Sequence, residues 1–295
     1  MGKNMTSGAR RLSGNAVTLL ITALLCGGSA ALIYSGAASR QISNMLISMA
    51  CYIVMAVSLN LVVGLLGELS LGHAGFMSVG LFTGCLLSIQ LAQSVPIGVR
   101  MPLSMLLGGV AAAVVGLLVG LPALRLKGDY LAIVTLGFGE IIRLVLENWT
   151  SVTKGSFGLS NLSRPSLFGM EMGGTEATNY IYYIGLAAVV VTIIVVGRLK
   201  NSRIGLALQA LREDEIACEA MGIDLTKVKL SAFALGSCWA GFAGVIFAAK
   251  TTFINPASFT FMESAMVLSM VVLGGMGHIP GVILGAVLLT ALPEL

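Results

Sequence analysis

The spacing of charged residues constrains this chain more than any other feature of its sequence. Seven stretches of at least 20 residues contain no Lys, Arg, Asp or Glu. They cover residues 12–39, 41–67, 69–99, 101–124, 177–197, 230–249 and 264–293. About 20 apolar residues in an α-helix cross a hydrocarbon core about 30 Å thick. Only 10% of the residues are charged, against about 25% in soluble domains, so the sequence predicts a protein embedded in lipid.

The bilayer also decides the fold class. Lipid offers backbone N–H and C=O groups no partner, and a helix satisfies them within the segment itself. We therefore expect an all-α, polytopic membrane protein with about eight segments. The eighth is 130–148, which is interrupted only by Glu140, Arg143 and Glu147. The predicted helices are 16–37, 45–66, 74–95, 102–121, 130–148, 180–197, 230–249 and 264–293.

The first apolar stretch allows two interpretations. Basic residues precede it, as they do in a secretory signal peptide. However, the stretch 16–38 is longer than the usual apolar region of such a peptide, which has about 7–15 residues. We favour a retained first helix, with residues 1–15 as a cytoplasmic tail.

The basic residues of the loops predict the orientation. One set of alternate loops carries Lys3, Arg10, Arg11, Arg125, Lys127, Arg198, Lys200, Arg203, Arg212, Lys227 and Lys229. The other set carries Arg40, Arg100, Lys154, Arg164 and Lys250. Cytoplasmic loops hold the excess of Lys and Arg, so we expect the N-terminus in the cytoplasm. The segment 198–229 is then cytoplasmic, and the turn-rich loop 149–179 lies outside.

Two glycine-rich stretches, Gly64–Gly75 and Leu273–Gly281, are poor straight helices. Each Gly costs a helix about 1 kcal/mol relative to Ala, and Pro costs about 3 kcal/mol. Both stretches contain Gly-His followed by another glycine. Transporters use matching breaks in two halves to line a substrate path, although chance similarity is an open alternative in so glycine-rich a chain. The candidate path residues here are Ser70, Gly72, His73, Gly75, Gly277 and His278.

Glu140 and Arg143 are two further path candidates. They are three residues apart and so share one helical face. Charged groups inside a membrane pair or face water, so the two lie beside a permeation route or form a structural ion pair near the helix end. Both readings stay open. Histidines such as His73 and His278 more often form hydrogen bonds than carry protons.

The sequence offers no basis for an enzyme. It has only two histidines, and it contains no H-E-x-x-H, no G-x-S-x-G and no Cys/His nucleophile arrangement. We therefore predict no catalytic residues, no metal site and no cofactor in this chain. A G-x-x-x-x-G-K-[ST] motif is also absent, so any ATP that powers the protein must be bound by another subunit.

Residues 207–222 predict a short amphipathic helix. Leu208, Leu211 and Ile216 fall near one face, acidic residues occupy the rest, and Gly222 is a natural stop. Such a helix is suited to docking a soluble motor. A solvated loop helix is the alternative.

Four ordered stretches resemble one known family. They are Leu59–Gly80, Leu121–Arg143, Leu211–Gly222, and Met270–Gly277 together with Leu292–Leu295. Each is similar to the LivM type of bacterial branched-chain amino acid ABC permeases. The resemblance covers most of residues 45–295, and residues 1–40 show none. It implies an ABC importer permease fold over 16–295 that works by alternating access, and members of this type usually continue beyond the position of Leu295.

The resemblance also implies partners and a coupling site. Glu219, Ala220 and Gly222 match the element through which importer permeases contact their ATPases. We therefore expect the coupling residues Arg212, Glu213, Asp214, Glu215, Glu219, Ala220 and Gly222 within the coupling segment, residues 198–229. The expected partners are a LivH-type second permease, two cytoplasmic ATP-binding subunits and a periplasmic protein that binds leucine, isoleucine or valine. The chain would lie in the bacterial inner membrane and bind no nucleic acid.

Two rival functions remain. A urea or short-chain amide permease of the same superfamily would share the architecture. A secondary transporter that works alone would move substrate without ATPase subunits.

Overall fold

The computed structural model describes residues 27–28, 40–91, 97–123, 126, 128–159, 174–251 and 253–294. The helices within these residues are α1 Arg40–Asn60, α2 His73–Gln90, α3 Ile97–Ala123, α4 Asp129–Asn148, α5 Thr150–Thr153, α6 Gly174–Lys200, α7 Arg203–Glu213, α8 Glu215–Ala220, α9 Leu225–Thr251, α10 Phe261–Gly274 and α11 Ile279–Ala291. The described part of the chain contains no β-strand, only an isolated bridge between Leu159 and Ile254. The predicted all-α fold is confirmed.

Within the described residues, five helical stretches are long and apolar enough to cross a membrane. They are Gln41–Leu66, His73–Gln90, Val99–Ala123, Glu176–Lys200 and Leu225–Thr251. The predicted segment 130–148 is helical as α4 but is not among these five. The predicted segment 16–37 lies, apart from residues 27 and 28, outside the described residues.

The outer surface of α3 agrees with a lipid environment. Leu106, Val110, Val114 and Leu118 follow one another at helical spacing, and each is at least half exposed. Exposure of such an apolar stripe to water is unfavourable, whereas lipid or an apolar partner surface would bury it.

The prediction of one membrane helix over 264–293 is wrong. This stretch forms two short helices, α10 and α11. They run antiparallel on either side of Gly275–His278, since Gly281 packs against Gly274 and Gly285 against Met270. Gly275 and Gly277 adopt positive φ values of 90° and 81°, which glycine reaches at no steric cost. Pro280 then falls in the first turn of α11, where its missing N–H is harmless. The break itself was expected from the sequence, but the reversal of direction was not.

The predicted break in the first glycine-rich stretch is also present. Helix α1 continues into a π-helical turn, Leu61–Leu66, and ends at Gly67, which has a φ of 82°. Residues 68–72 are not helical, and α2 then begins at His73. We call residues 64–72 the first break and residues 275–278 the second break.

Helix α9 lies at the centre of the bundle and packs against α1, α2 and α3. Small residues permit these close contacts, as is common between helices in lipid. A Cβ atom added to Gly80 in α2 would lie 2.2 Å from the Cα atom of Gly241 in α9. At this point the two backbones touch directly.

The contacts between helix ends define two ends of the bundle. At one end, the last residue of α6, Lys200, reaches the second break, and Lys229 near the start of α9 reaches the first break. At the opposite end, Lys250 of α9 contacts Ser48 of α1, and the Leu159–Ile254 bridge ties the described part of the 149–179 loop to the bundle. The coupling segment and both breaks therefore share one end.

We predict that Gly80→Ala destabilises the protein by about 1–3 kcal/mol, the range for an overpacked core. The new methyl group would force α2 and α9 apart. The thermal unfolding midpoint of the purified protein in detergent measures the effect. Gly197→Ala is the matched control, because a Cβ at this helical position has no neighbour within 4 Å. Equal midpoints for the two variants would contradict the close packing.

Candidate functional site

Arg212 from the coupling segment lies across the first break. Its Nη1 atom donates a hydrogen bond to the Gly64 carbonyl oxygen at 2.7 Å. A Cβ atom on Gly67 would lie 2.7 Å from Arg212 Cγ. Glycine at position 67 is thus needed both for its positive φ and for the room it leaves to Arg212. A cation at the carboxyl end of α1 also complements the helix dipole.

The second break is held by two polar side chains. The Gly277 N–H donates to Asn60 Oδ1 at 2.8 Å, and the Gly277 carbonyl oxygen accepts from Lys200 Nζ at 2.8 Å. Asn60 is buried at the end of α1, within an apolar surrounding. A Cβ on Gly277 would lie only 3.2 Å from the Gly64 carbonyl oxygen. The two breaks are therefore in contact with each other.

A buried ion-pair cluster joins three elements beside the first break. Lys229 Nζ lies 2.6 Å from Glu68 Oε1 and 2.5 Å from Glu215 Oε1. Only 5% of the Lys229 side chain is exposed. A buried cation needs such partners, because removing one leaves an uncompensated charge. The cluster links the first break, the start of α9 and the start of α8.

The predicted single helix over 207–222 is wrong in one respect: the structure has two helices, α7 and α8, separated at Asp214. Asp214 adopts an extended conformation, and its Oδ1 atom accepts hydrogen bonds from the N–H groups of Ile216 and Ala217. This is an N-cap, and it starts a new helix. The predicted stop is confirmed, since Gly222 has a φ of 80° directly after α8.

The amphipathic pattern was correct for α7 only. Leu208 and Leu211 are buried as expected, but Ile216 is 79% exposed, and so is Met221 at 82%. The turn at Asp214 rotates α8 away from the face that α7 buries. Helix α8 therefore presents apolar side chains to the surface.

The seven expected coupling residues divide by position. Arg212 contacts the first break directly, Glu215 reaches it through Lys229, and Asp214 caps α8. Arg212 and Asp214 are exposed, and so are the four remaining members of the set, Glu213, Glu219, Ala220 and Gly222. Together with Ile216 and Met221 these four form what we call the α8 surface.

The end of the coupling segment carries a separate ion pair on the surface. Lys227 Nζ lies 2.9 Å from Asp224 Oδ2. This hydrogen-bonded ammonium group holds the pKa of the Asp224 carboxyl below its ordinary value. Neither side chain contacts a break in the structure.

Four candidate path residues surround the start of α2. His73 is buried, and its Nε2 atom is 2.7 Å from Ser58 Oγ, so its ring serves a hydrogen bond between helices. Gly72 faces the carbonyl oxygen of Thr135 in α4. Ser70 is buried as well, and its Oγ atom has no hydrogen-bond partner among the described residues.

Helix α4 brings its charged residues to the same region. Arg143 Nε lies 2.8 Å from Glu140 Oε2, so the predicted pair is present, and Arg143 also pairs with Glu147 at 3.0 Å. Glu140 and Gly75 line a small open cavity together with Ser264. The structure thus places Gly72, His73, Gly75 and Glu140 near one another.

The second glycine-rich stretch supplies the remaining candidates. Gly277 lies against the first break, whereas His278 is exposed and caps α11, accepting a hydrogen bond from the Gly281 N–H at 3.2 Å. A role of any of these residues in a path remains a prediction.

Sequence reasoning missed Asn60, Lys200 and Lys229, which hold the breaks. Asn60 is one polar residue within the uncharged stretch 41–67, directly before the glycines of the first break. Lys200 and Lys229 lie at the borders of uncharged stretches and were counted only as charges for orientation. Only Asn60 gave a signal, as a polar residue close to a predicted break, because Lys200 and Lys229 are far in the chain from the breaks that they hold.

The described helices define a multi-pass helical membrane protein with broken segments. A family model for the permease component of the branched-chain amino acid transport system matches residues 41–295. The chain belongs to this family.

Individual relatives agree with this assignment. The high-affinity branched-chain amino acid transport system permease protein LivM of Salmonella typhimurium is 44% identical over 264 residues, which cover 83% of this chain. A probable LivM permease of Methanocaldococcus jannaschii is 30% identical over 62% of this chain and 52% of its own length. LivH of Escherichia coli is 24% identical over 81% of this chain and 79% of its own length. The match spans 61% of the length of the Salmonella LivM protein.

We predict that Asn60→Ala loosens the second break. The Gly277 N–H would lose its acceptor, at a cost of about 1–3 kcal/mol for a buried unpaired group. Hydrogen exchange followed by mass spectrometry should show faster exchange across residues 274–279. Asn201→Ala is the control, because among the described residues the Asn201 side chain donates only to the Gly197 carbonyl oxygen at the end of α6. Unchanged exchange in the Asn60 variant would contradict the assigned contact.

Proposed function

We propose that this chain is a permease subunit of an ATP-driven importer for leucine, isoleucine and valine. The observation that carries the proposal is the position of the α8 surface. Its acidic and exposed apolar side chains lie at the same end of the bundle as both helix breaks. An exposed apolar patch with a polar rim is typical of a protein-binding surface. The similarity to permeases named LivM supports the class of substrate.

The proposed complex contains four kinds of subunit. This chain pairs with a LivH-type permease in the bacterial inner membrane, with its N-terminus in the cytoplasm. The complex has two ATP-binding subunits, of which one docks on the α8 surface of this chain, and a periplasmic binding protein delivers the amino acid to the side of the 149–179 loop. The binding protein supplies most of the specificity.

Transport follows from alternating access in this proposal. ATP binding favours one arrangement of the ATPases and therefore one position of α8, because a ligand shifts an equilibrium only by its differential affinity for two states. The two breaks serve as hinges, and the region around Gly75 and Glu140 lies beside the path. A zwitterionic solute needs polar partners there, which Glu140 and Arg143 would offer.

Uptake of labelled leucine into vesicles that carry the whole complex tests the function. The proposal expects uptake that requires ATP, the ATPase subunits and the binding protein. Competition by isoleucine and valine but not by urea is expected as well. Uptake by this chain and its permease partner without the ATPases would instead establish a secondary transporter, and transport of urea alone would establish the amide permease.

We predict that Glu219→Lys weakens docking of the ATPase subunits. A reversed charge on the α8 surface should reduce the amount of ATPase that copurifies with the permeases, and ATP-driven uptake should fall with it. Asp129→Lys is the control, since Asp129 is exposed in the first turn of α4, outside the coupling segment. Full docking and undiminished uptake by the Glu219 variant would refute a coupling role for this residue.

A further inference from the structure

The coupling segment reaches the first break at two separate points. Arg212, near the end of α7, donates to the Gly64 carbonyl oxygen. Glu215, the first residue of α8, reaches Glu68 indirectly, because Lys229 binds both carboxylates. The two contacts flank Asp214, where α7 ends and α8 begins.

We propose that Arg212 and Glu215 are positioning residues that make both helix breaks follow the movement of α8. The inference rests on the proposed function and names the contacts through which ATP-driven motion reaches the membrane helices. Neither residue needs to touch ATP, ATPase or transported solute for this role.

Packing and charge both oppose slippage at these contacts. Arg212 lies in the space that the missing side chain of Gly67 leaves, with its Cγ atom 2.7 Å from where a Cβ would be. Lys229 is almost fully buried, so pulling Glu215 or Glu68 away would remove one of the two carboxylates that compensate its charge. Movement of α8 is therefore transferred to residues 64–68 more readily than it breaks the contacts.

The second break is joined to the same unit. Asn60, the last residue of α1, lies about one turn before Gly64 and accepts a hydrogen bond from the Gly277 N–H. Lys200 donates to the Gly277 carbonyl oxygen. Lys200 ends α6 directly before the coupling segment continues into α7. A displacement of α7 and α8 thus acts on Gly277 from two sides, through α1 and through Lys200.

The test uses the whole complex in vesicles and measures leucine uptake and ATP hydrolysis together. Arg212→Gln removes the charge, and the proposal expects a complex of normal composition that still hydrolyses ATP. Uptake per ATP should fall by roughly 5- to 100-fold, the range of ordinary coupling between two sites. Arg212→Lys restores a charged donor and should recover most of the loss.

Glu215→Gln is the second variant, because it weakens the link from α8 but leaves the buried Lys229–Glu68 pair intact. It should also lower uptake per ATP. Lys227→Gln is the matched control, since the Lys227 side chain is 84% exposed and pairs only with the nearby Asp224 among the described residues. Its uptake per ATP should equal that of the native complex.

Hydrogen exchange provides a readout that would not change if the role of Arg212 were purely structural. In the native complex, trapping of nucleotide should change the exchange of residues 64–72. This change should disappear in Arg212→Gln, while exchange without nucleotide stays close to native.

The outcomes separate the two proposals. A native complex without ATP-driven leucine uptake contradicts the proposed function. A native complex that transports, with unchanged uptake per ATP in both variants, overturns only the positioning role. A proportional fall of assembly, hydrolysis and uptake also overturns it, because that pattern means direct docking or loss of fold.

Discussion

The structure depends on one constraint: backbone groups that leave a helix inside an apolar surrounding must find another partner. Both breaks leave such backbone groups, and polar side chains form hydrogen bonds with them. Arg212 donates to the Gly64 carbonyl oxygen and Lys200 to the Gly277 carbonyl oxygen. Asn60 accepts from the Gly277 N–H. The breaks can therefore exist only where these three side chains meet.

This requirement connects the breaks to the proposed function. Two of the three side chains belong to the coupling segment, so the segment that carries the proposed docking surface also completes the membrane part of the fold. The buried Glu68–Lys229–Glu215 cluster adds a second link at the same end. In our proposal, a motor that moves α8 does not need a separate transmission element, since the stabilising contacts themselves carry the motion.

The sequence predicted those features of the fold that depend on local rules, such as helix positions and helix ends. The length of the uncharged stretches located the helices. Glycines marked both breaks and also the stop at Gly222. Features that depend on contacts between distant parts of the chain could not be predicted from such rules. The reversal at Gly275–His278 depends on how α10 packs on α11, and the exposure of Ile216 depends on the cap at Asp214. Asn60 was missed because its partner, Gly277, is 217 residues away in the chain.

The central claim is that both breaks change when the ATPases act. Spin labels on Leu69 and on Met276, which are exposed in the first and second breaks, each paired with a label on the exposed Val99 near the start of α3, measure this directly in a complex without its native cysteines that still transports. For each pair, the account predicts one distance without nucleotide and a shifted distance after trapping with ATP and vanadate. A distance that stays the same in both states, in a complex that imports leucine, would contradict it.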